Sequence, residues 1–150
     1  MATGLDMETA QRLRMVVGKL ARRLRPTEAG LAADLTPTRV AVLLNTVRNG
    51  PIRLSEVAEQ EGLNPTLLSR TVANLAHDGL VIRTADEADR RSAWLDATPA
   101  GRELAERIRA QRTHHMQVAL EELPPEDRRL VEAALPALEQ LAQRLHEGGR

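Results

Sequence analysis

Apolar positions recur at helical spacing along most of the chain. Leu13, Val16, Val17, Leu20 and Leu24 share a face and predict a helix from about Asp6 to Leu24, which Pro26 closes. Residues 1–5 carry no pattern and read as a loose end. PTEAGLAADL reads as a connector with some apolar content. Thr36-Pro37 is a cap-then-proline start, and Val40, Val42, Leu43, Leu44 and Val47 fill the helix it opens until Asn49-Gly50-Pro51. Ile52-Arg53 has the length of a very short strand, and Leu54 to Glu61 reads as a helix with Leu54, Val57 and Ala58 inward. After Gly62 a second start, Asn64-Pro65, opens NPTLLSRTVANLAHDG, in which Leu68, Val72 and Leu75 form an apolar face and Gly79 marks the end.

The period then changes. Leu80 to Thr84 reads as a strand, ADEADRR as a charged turn, and Ser92 to Ala97 as the return strand, with Trp94 on one face and Ala93 and Leu95 on the other. Thr98-Pro99 opens a helix of about twenty residues with Leu104, Ile108, Met116 and Leu120 as apolar markers and a polar middle, RAQRTHH. Pro124-Pro125 restarts the chain into a last helix whose Val131, Ala134, Leu138, Leu141 and Leu145 make a coiled-coil-like seam. Pro136 inside it predicts a kink or a division in two.

Two short helices joined by a glycine-containing turn have helix-turn-helix spacing, and the hairpin that follows them is a wing. The fold class expected is mainly α with a small β-hairpin wing. The whole chain, 1–150, reads as one domain with a winged core at about 36–98 and helices at about 6–24 and 99–146 left over for dimerisation. On the helix 64–78, Thr66, Arg70 and Ala73 lie opposite the apolar face, with Ser69 on a flank. Small hydroxyls and one guanidinium suit a DNA major groove. An ordinary amphipathic helix is the plain alternative, and the hairpin beside it favours DNA.

Composition narrows the chemistry. The 150 residues hold no Cys, Phe or Tyr and one Trp, so the core is aliphatic and disulfides and thiolate metal sites are excluded. Formal net charge is zero, and the segment Arg53 to Arg91 carries more acids than bases, so DNA binding must rest on local placement of arginine. No signal-like N-terminus and no membrane-length apolar run occur, so a cytoplasmic protein without membrane contact is expected. No glycine-rich phosphate loop, nucleophile elbow or H-E-x-x-H is present, which argues against an enzyme. His114 and His115 are adjacent and do not share a helix face, and His77 and His146 are remote, so neither a metal nor another cofactor is expected. Arg12, Arg39, His114 and His115 are weak candidates for an anion contact, and His77 for a phosphate at the end of its helix.

GLVIRTADEADRRSAWLDATPAG, with Gly79-Leu80-Val81, Arg83, Asp86, Asp89-Arg90-Arg91, Thr98 and Gly101, resembles the wing of the MarR family of bacterial winged helix-turn-helix regulators. LTPTRVAVLL and LSEVAEQEGLNPTLLSRTV are similar to that family's preceding helices, and the likeness runs from about Leu13 to Leu145. It implies a homodimer on a palindromic double-stranded operator, acting as a repressor and released by a small amphipathic or phenolic effector. It implies that Asn64, Thr66, Ser69 and Arg70 face the major groove or its phosphates. Arg90 and Arg91 would reach the minor groove, with Asp89 bracing the tip. Ser55 and Asn74 complete the expected DNA-facing set. Arg53 stands where the family often has Thr or Ser, so the next helix loses a capping hydroxyl and gains a candidate phosphate contact. Ala73-Asn74 replaces a frequent acid–Arg pair, which removes an expected brace between reading helix and wing. Ala97 replaces the usual Leu before the Thr. A helical adaptor that binds protein through the winged helix is the alternative function.

Overall fold

The computed structural model describes residues 7–89 and 92–147. The elements follow the order α1 (Met7–Leu24), α2 (Glu28–Ala32), α3 (Pro37–Asn49), β1 (Ile52–Arg53), α4 (Leu54–Glu61), α5 (Pro65–His77), β2 (Val81–Ala85), β3 (Ala93–Ala97), α6 (Pro99–Glu121) and α7 (Pro125–Glu147). They divide into two compact units, Met1–Arg112 and Thr113–Arg150, the division falling inside α6. No helix among the described residues is long and apolar enough to cross a membrane.

Local chemistry sets most of the boundaries in the first unit. Thr36 Oγ1 accepts the Arg39 N–H at 3.3 Å, and Asn64 Oδ1 accepts the Leu67 N–H at 2.8 Å, each followed by a proline at the first helical turn. Gly62 and Gly79 close α4 and α5 at φ 62° and 71°, a region open to glycine at little steric cost. α4 begins without a capping hydroxyl, as the sequence implied. From the third helical position Glu56 reaches back, its Oε2 accepting the Arg53 N–H at 3.2 Å.

PTEAGLAADL reads in the sequence as a connector with some apolar content, with no helix assigned to it. Its middle is the short helix α2, capped by Thr27, whose Oγ1 accepts the Gly30 N–H at 3.1 Å. A five-residue helix is too short to show an apolar period, so only the cap could have betrayed it.

The sheet is antiparallel with strand order β1-β3-β2. Leu95 pairs with Ile52 on one side and Arg83 on the other, and Trp94 with Arg53 and Thr84. β3 alternates as expected: Ala93, Leu95 and Ala97 are buried and Trp94 is half-buried. β2 does not alternate, since only Val81 is buried and the rest of the strand stands clear of the core.

The aliphatic core gathers Val40, Val42 and Leu43 of α3, Val57 of α4, Leu68, Val72 and Leu75 of α5, and Ile52, Val81 and Leu95 of the sheet. Leu104 and Ile108 of α6 complete it. The first half of α6 is therefore part of the winged core as well as an arm. Thr98 secures it there. Its hydroxyl donates to the Gly79 carbonyl at 2.6 Å and accepts the Gly101 N–H at 3.0 Å. Gly101 then packs on the Leu80 carbonyl so closely that a Cβ would overlap it.

In the second unit Arg128 ties α7 back to the end of α6, donating to the Leu120 and Glu121 carbonyls at 3.1 and 2.9 Å. The sequence predicted a kink or a break at Pro136. The helix is not divided, because α7 runs unbroken through that residue. Proline removes one hydrogen bond and crowds one carbonyl, and the long flanking turns carry the helix across.

Candidate nucleic-acid interface

α5 is held by one face and exposes the other. Leu68, Val72 and Leu75 are buried at 2 % exposure or less, which fixes the helix axis against α3 and β2. Thr71 is buried as well, its hydroxyl donating to the Leu67 carbonyl at 2.8 Å. Thr66, Ser69, Arg70 and Ala73 are exposed, and with Pro65 they line one shallow open depression. The structure thus brings Thr66, Ser69 and Arg70 together, as their spacing predicted. Leu67 adds an exposed apolar side chain beside them, which its position in the helical pattern does not signal. Such a side chain suits contact with a thymine methyl group.

The other expected contacts divide by position. Asn64 is exposed at the helix start, but its Oδ1 is engaged in capping. Asn74 is half-buried, one turn beyond Arg70. Ser55 is exposed in the first turn of α4. Asp89 is exposed in the turn of the hairpin, its carbonyl accepting the Ser92 N–H at 2.8 Å. Arg90 and Arg91 lie outside the described residues. His77 sits at the end of α5, its ring 3.3 Å from the Asp78 carboxylate. Asp78 also lies 4.0 Å from Arg39, which joins α3 to the end of α5.

Arg53 has a richer environment than a phosphate contact requires. Its guanidinium lies 5.1 Å from the centroid of the Trp94 ring and 3.4 Å from Asp86 Oδ2. The same carboxylate accepts the Trp94 Nε1–H at 3.2 Å and the Ala88 N–H at 2.9 Å. The Ala88 N–H holds the Asp86 carboxyl below the usual carboxylate range, and the Trp94 N–H and the Arg53 charge add to that against the opposing effect of burial. The one signal in the sequence for this cluster was a lone tryptophan on the outward face of a strand.

A second polar cluster joins α3 to α4. The Asn45 amide donates to Gln60 Oε1 at 3.0 Å and Glu61 Oε1 at 2.7 Å, and Asn49 donates to Asn45 Oδ1 at 3.1 Å. Asn45 reads as apolar-face helix from its spacing, so this clasp was not foreseen. Among the described residues no group of three or more His, Cys, Asp or Glu side chains could hold a metal ion.

An exposed polar helix face beside a hairpin is the arrangement of a groove-reading protein. Comparison with known proteins bears on the fold. The MarR family model matches residues 35–93, from the start of α3 to the first residue of β3. The uncharacterized HTH-type transcriptional regulator YwhA of Bacillus subtilis is 23% identical over 113 residues, covering 75% of this chain and 81% of that protein. A UPF0597 protein of Moorella thermoacetica is 30% identical over 135 residues, or 85% of this chain, and this chain spans 31% of that longer protein. Among solved structures, RV1404 of Mycobacterium tuberculosis superposes with a TM-score of 0.77 at 19% identity, covering 92% of this chain and 95% of that one. A mutant of MepR from S. aureus bound to an oligodeoxyribonucleotide has a TM-score of 0.60 at 18% identity, with 89% and 97% covered. PcaV of Streptomyces coelicolor, in complex with its natural ligand, has a TM-score of 0.55 at 22% identity, with 93% and 94% covered. These structures share the fold, and the family match covers α3, β1, α4, α5 and β2. Residues 35–93 thus resemble the MarR family, and the fold around them is that of a winged helix-turn-helix protein.

Proposed function

We propose that this protein is a transcriptional repressor that binds an inverted-repeat operator as a homodimer, with α5 in the major groove and the β2–β3 hairpin at the minor groove. The observation that carries the reading is the exposed face of α5, where Thr66, Ser69 and Arg70 stand together on a helix fixed from behind by buried Leu68, Val72 and Leu75. A side chain that reads a base must be held in register by its backbone, and this packing supplies that rigidity. Dimerisation is supported by apolar surface that each unit leaves uncovered. α1 buries none of its residues and exposes Met15, Val16, Val17 and Leu20, and α7 exposes Val131, Leu135, Leu138 and Leu141.

Release by a small anionic aromatic molecule is the finer part of the proposal. The Arg112 Nε is buried and makes no hydrogen bond among the described residues. Burial, and then the neighbouring charge of Arg25, push that guanidinium below its ordinary pKa. Arg25 also borders a cavity of about 140 Å³ lined by Thr27, Leu31, Leu35 and Val40. A carboxylate would relieve two crowded cations, and an apolar space of this order holds a single ring. Such a ligand loosens DNA only by preferring the conformation that does not bind it.

Enrichment of genomic fragments on the purified protein at near-physiological salt tests the reading. The expected result is one or a few fragments sharing an inverted repeat, with affinity that falls with salt at a slope of roughly −0.9 per neutralised phosphate. On such a fragment Arg70→Ala should cost about 1–3 kcal/mol if the guanidinium reads a base. An equal loss on random DNA would make Arg70 a phosphate contact. No enrichment at any salt would overturn the repressor reading in favour of a protein-binding adaptor.

A further inference from the structure

The outer part of the hairpin has little to hold it. Beyond Val81 every residue of β2 is exposed, so apolar packing fixes only the base of that strand. β1 pairs with β3 only at Leu95 and Trp94, so past the Thr84–Trp94 pair the hairpin is a two-stranded ribbon of β2 and β3 alone. At this place three side chains from three segments meet. Arg53 comes from β1, Trp94 from β3 and Asp86 from the residue after β2. Arg53 lies over the Trp94 ring and beside Asp86, and Asp86 in turn takes the indole N–H. The Asp86 backbone N–H donates to the Ser92 carbonyl at 3.1 Å, which closes the hairpin above the cluster. Arg53 is also the residue before α4, where Glu56 holds its N–H. The cluster therefore joins the hairpin to the first helix of the helix-turn-helix.

We propose that Arg53, Asp86 and Trp94 form a brace that sets the angle of the hairpin beside α4 and α5, so that Arg53 acts on DNA binding as a positioning residue through the wing. The proposal rests on the DNA-binding reading. Charge sharpens it. A carboxylate near DNA repels phosphate, so truncating the half-buried Asp86 should strengthen binding if charge alone mattered. A brace predicts the reverse. It also replaces the acid–Arg pair that Ala73-Asn74 removes, by a route through β1.

The test uses full-length protein and a genomic fragment enriched on the wild type. Asp86→Ala and Arg53→Ala should each weaken binding about tenfold, with the double variant little worse than either, as for contacting groups in a double-mutant cycle. Arg53→Lys keeps the charge a phosphate would need but loses the planar stack, and should resemble Arg53→Ala. Trp94 is the sole tryptophan and there is no tyrosine, so its emission reports the brace directly and should shift in Asp86→Ala without DNA. If Asp86→Ala binds as tightly as wild type or tighter, or if Arg53→Lys binds like wild type, the brace is overturned and the regulator reading stands. If the wild type enriches no DNA, both fall together. Should Asp86→Ala fail to fold, Arg53→Lys decides alone, because an exposed cation exchanged for another leaves the core untouched.

Discussion

A methyl group added at Gly101 would meet the Leu80 carbonyl oxygen, a backbone atom that cannot rotate away. Gly101→Ala should therefore destabilise the fold by about 1–3 kcal/mol, the usual penalty for overpacking. Urea unfolding checks this, and an unchanged midpoint would mean that α6 shifts freely along β2. The T-x-x-G spacing was legible as a motif, but its cause lies in the approach of α6 to the Leu80 carbonyl. Asp86 makes a second prediction at this scale. Its carboxyl is lowered in the folded state relative to the unfolded chain. Its contribution is therefore fully present above the ordinary carboxylate value and is lost as pH falls through the lower, folded-state value. Trp94 emission should change in that acid window, and Asp86→Asn should abolish that transition. A wild-type emission that stays flat through the window would detach Asp86 from the indole.

At the scale of the element, α5 depends on its two ends. Asn64 satisfies one of the otherwise unpaired N–H groups of the first turn. Asn64→Ala should cost about 1 kcal/mol in thermal or chemical unfolding. If operator affinity falls by much more than the stability loss explains, Asn64 also touches DNA. The caps at Thr36, Asn64 and Thr98 were readable because a cap and the N–H it serves lie within one turn of sequence. α2 was missed because it is shorter than the period that reveals a helix. The break entertained at Pro136 did not occur, since one proline costs a single turn and the rest of α7 outweighs it.

For the whole molecule, the uncovered apolar stripe of α7 is the feature with the largest consequence. Leu138 and Leu141 are each 39% exposed, on a helix that buries no described residue. On the proposed dimer, replacing both with Asp should leave a monomer in analytical ultracentrifugation, because charge on a buried seam is expensive. A protein that still sediments as a dimer would move the interface elsewhere. The proposed two-fold dimer is also what makes an inverted repeat the expected target, since each copy would read one half-site.

The sequence by itself determined the elements other than α2, their order and the exposed polar face of α5. These follow from periodicity and from caps, which act over a few neighbouring residues. It also carried the family likeness, concentrated in the wing. Tertiary structure alone decided what Arg53 does. The residue is distant in sequence from Asp86 and Trp94, and only the antiparallel register, which pairs Arg53 with Trp94, brings the three together. The same holds for Asn45, a polar residue on a helix face that packing against α4 made the centre of a clasp. Side-chain roles that require two segments to meet depend on how the chain closes, and no local pattern records that closure.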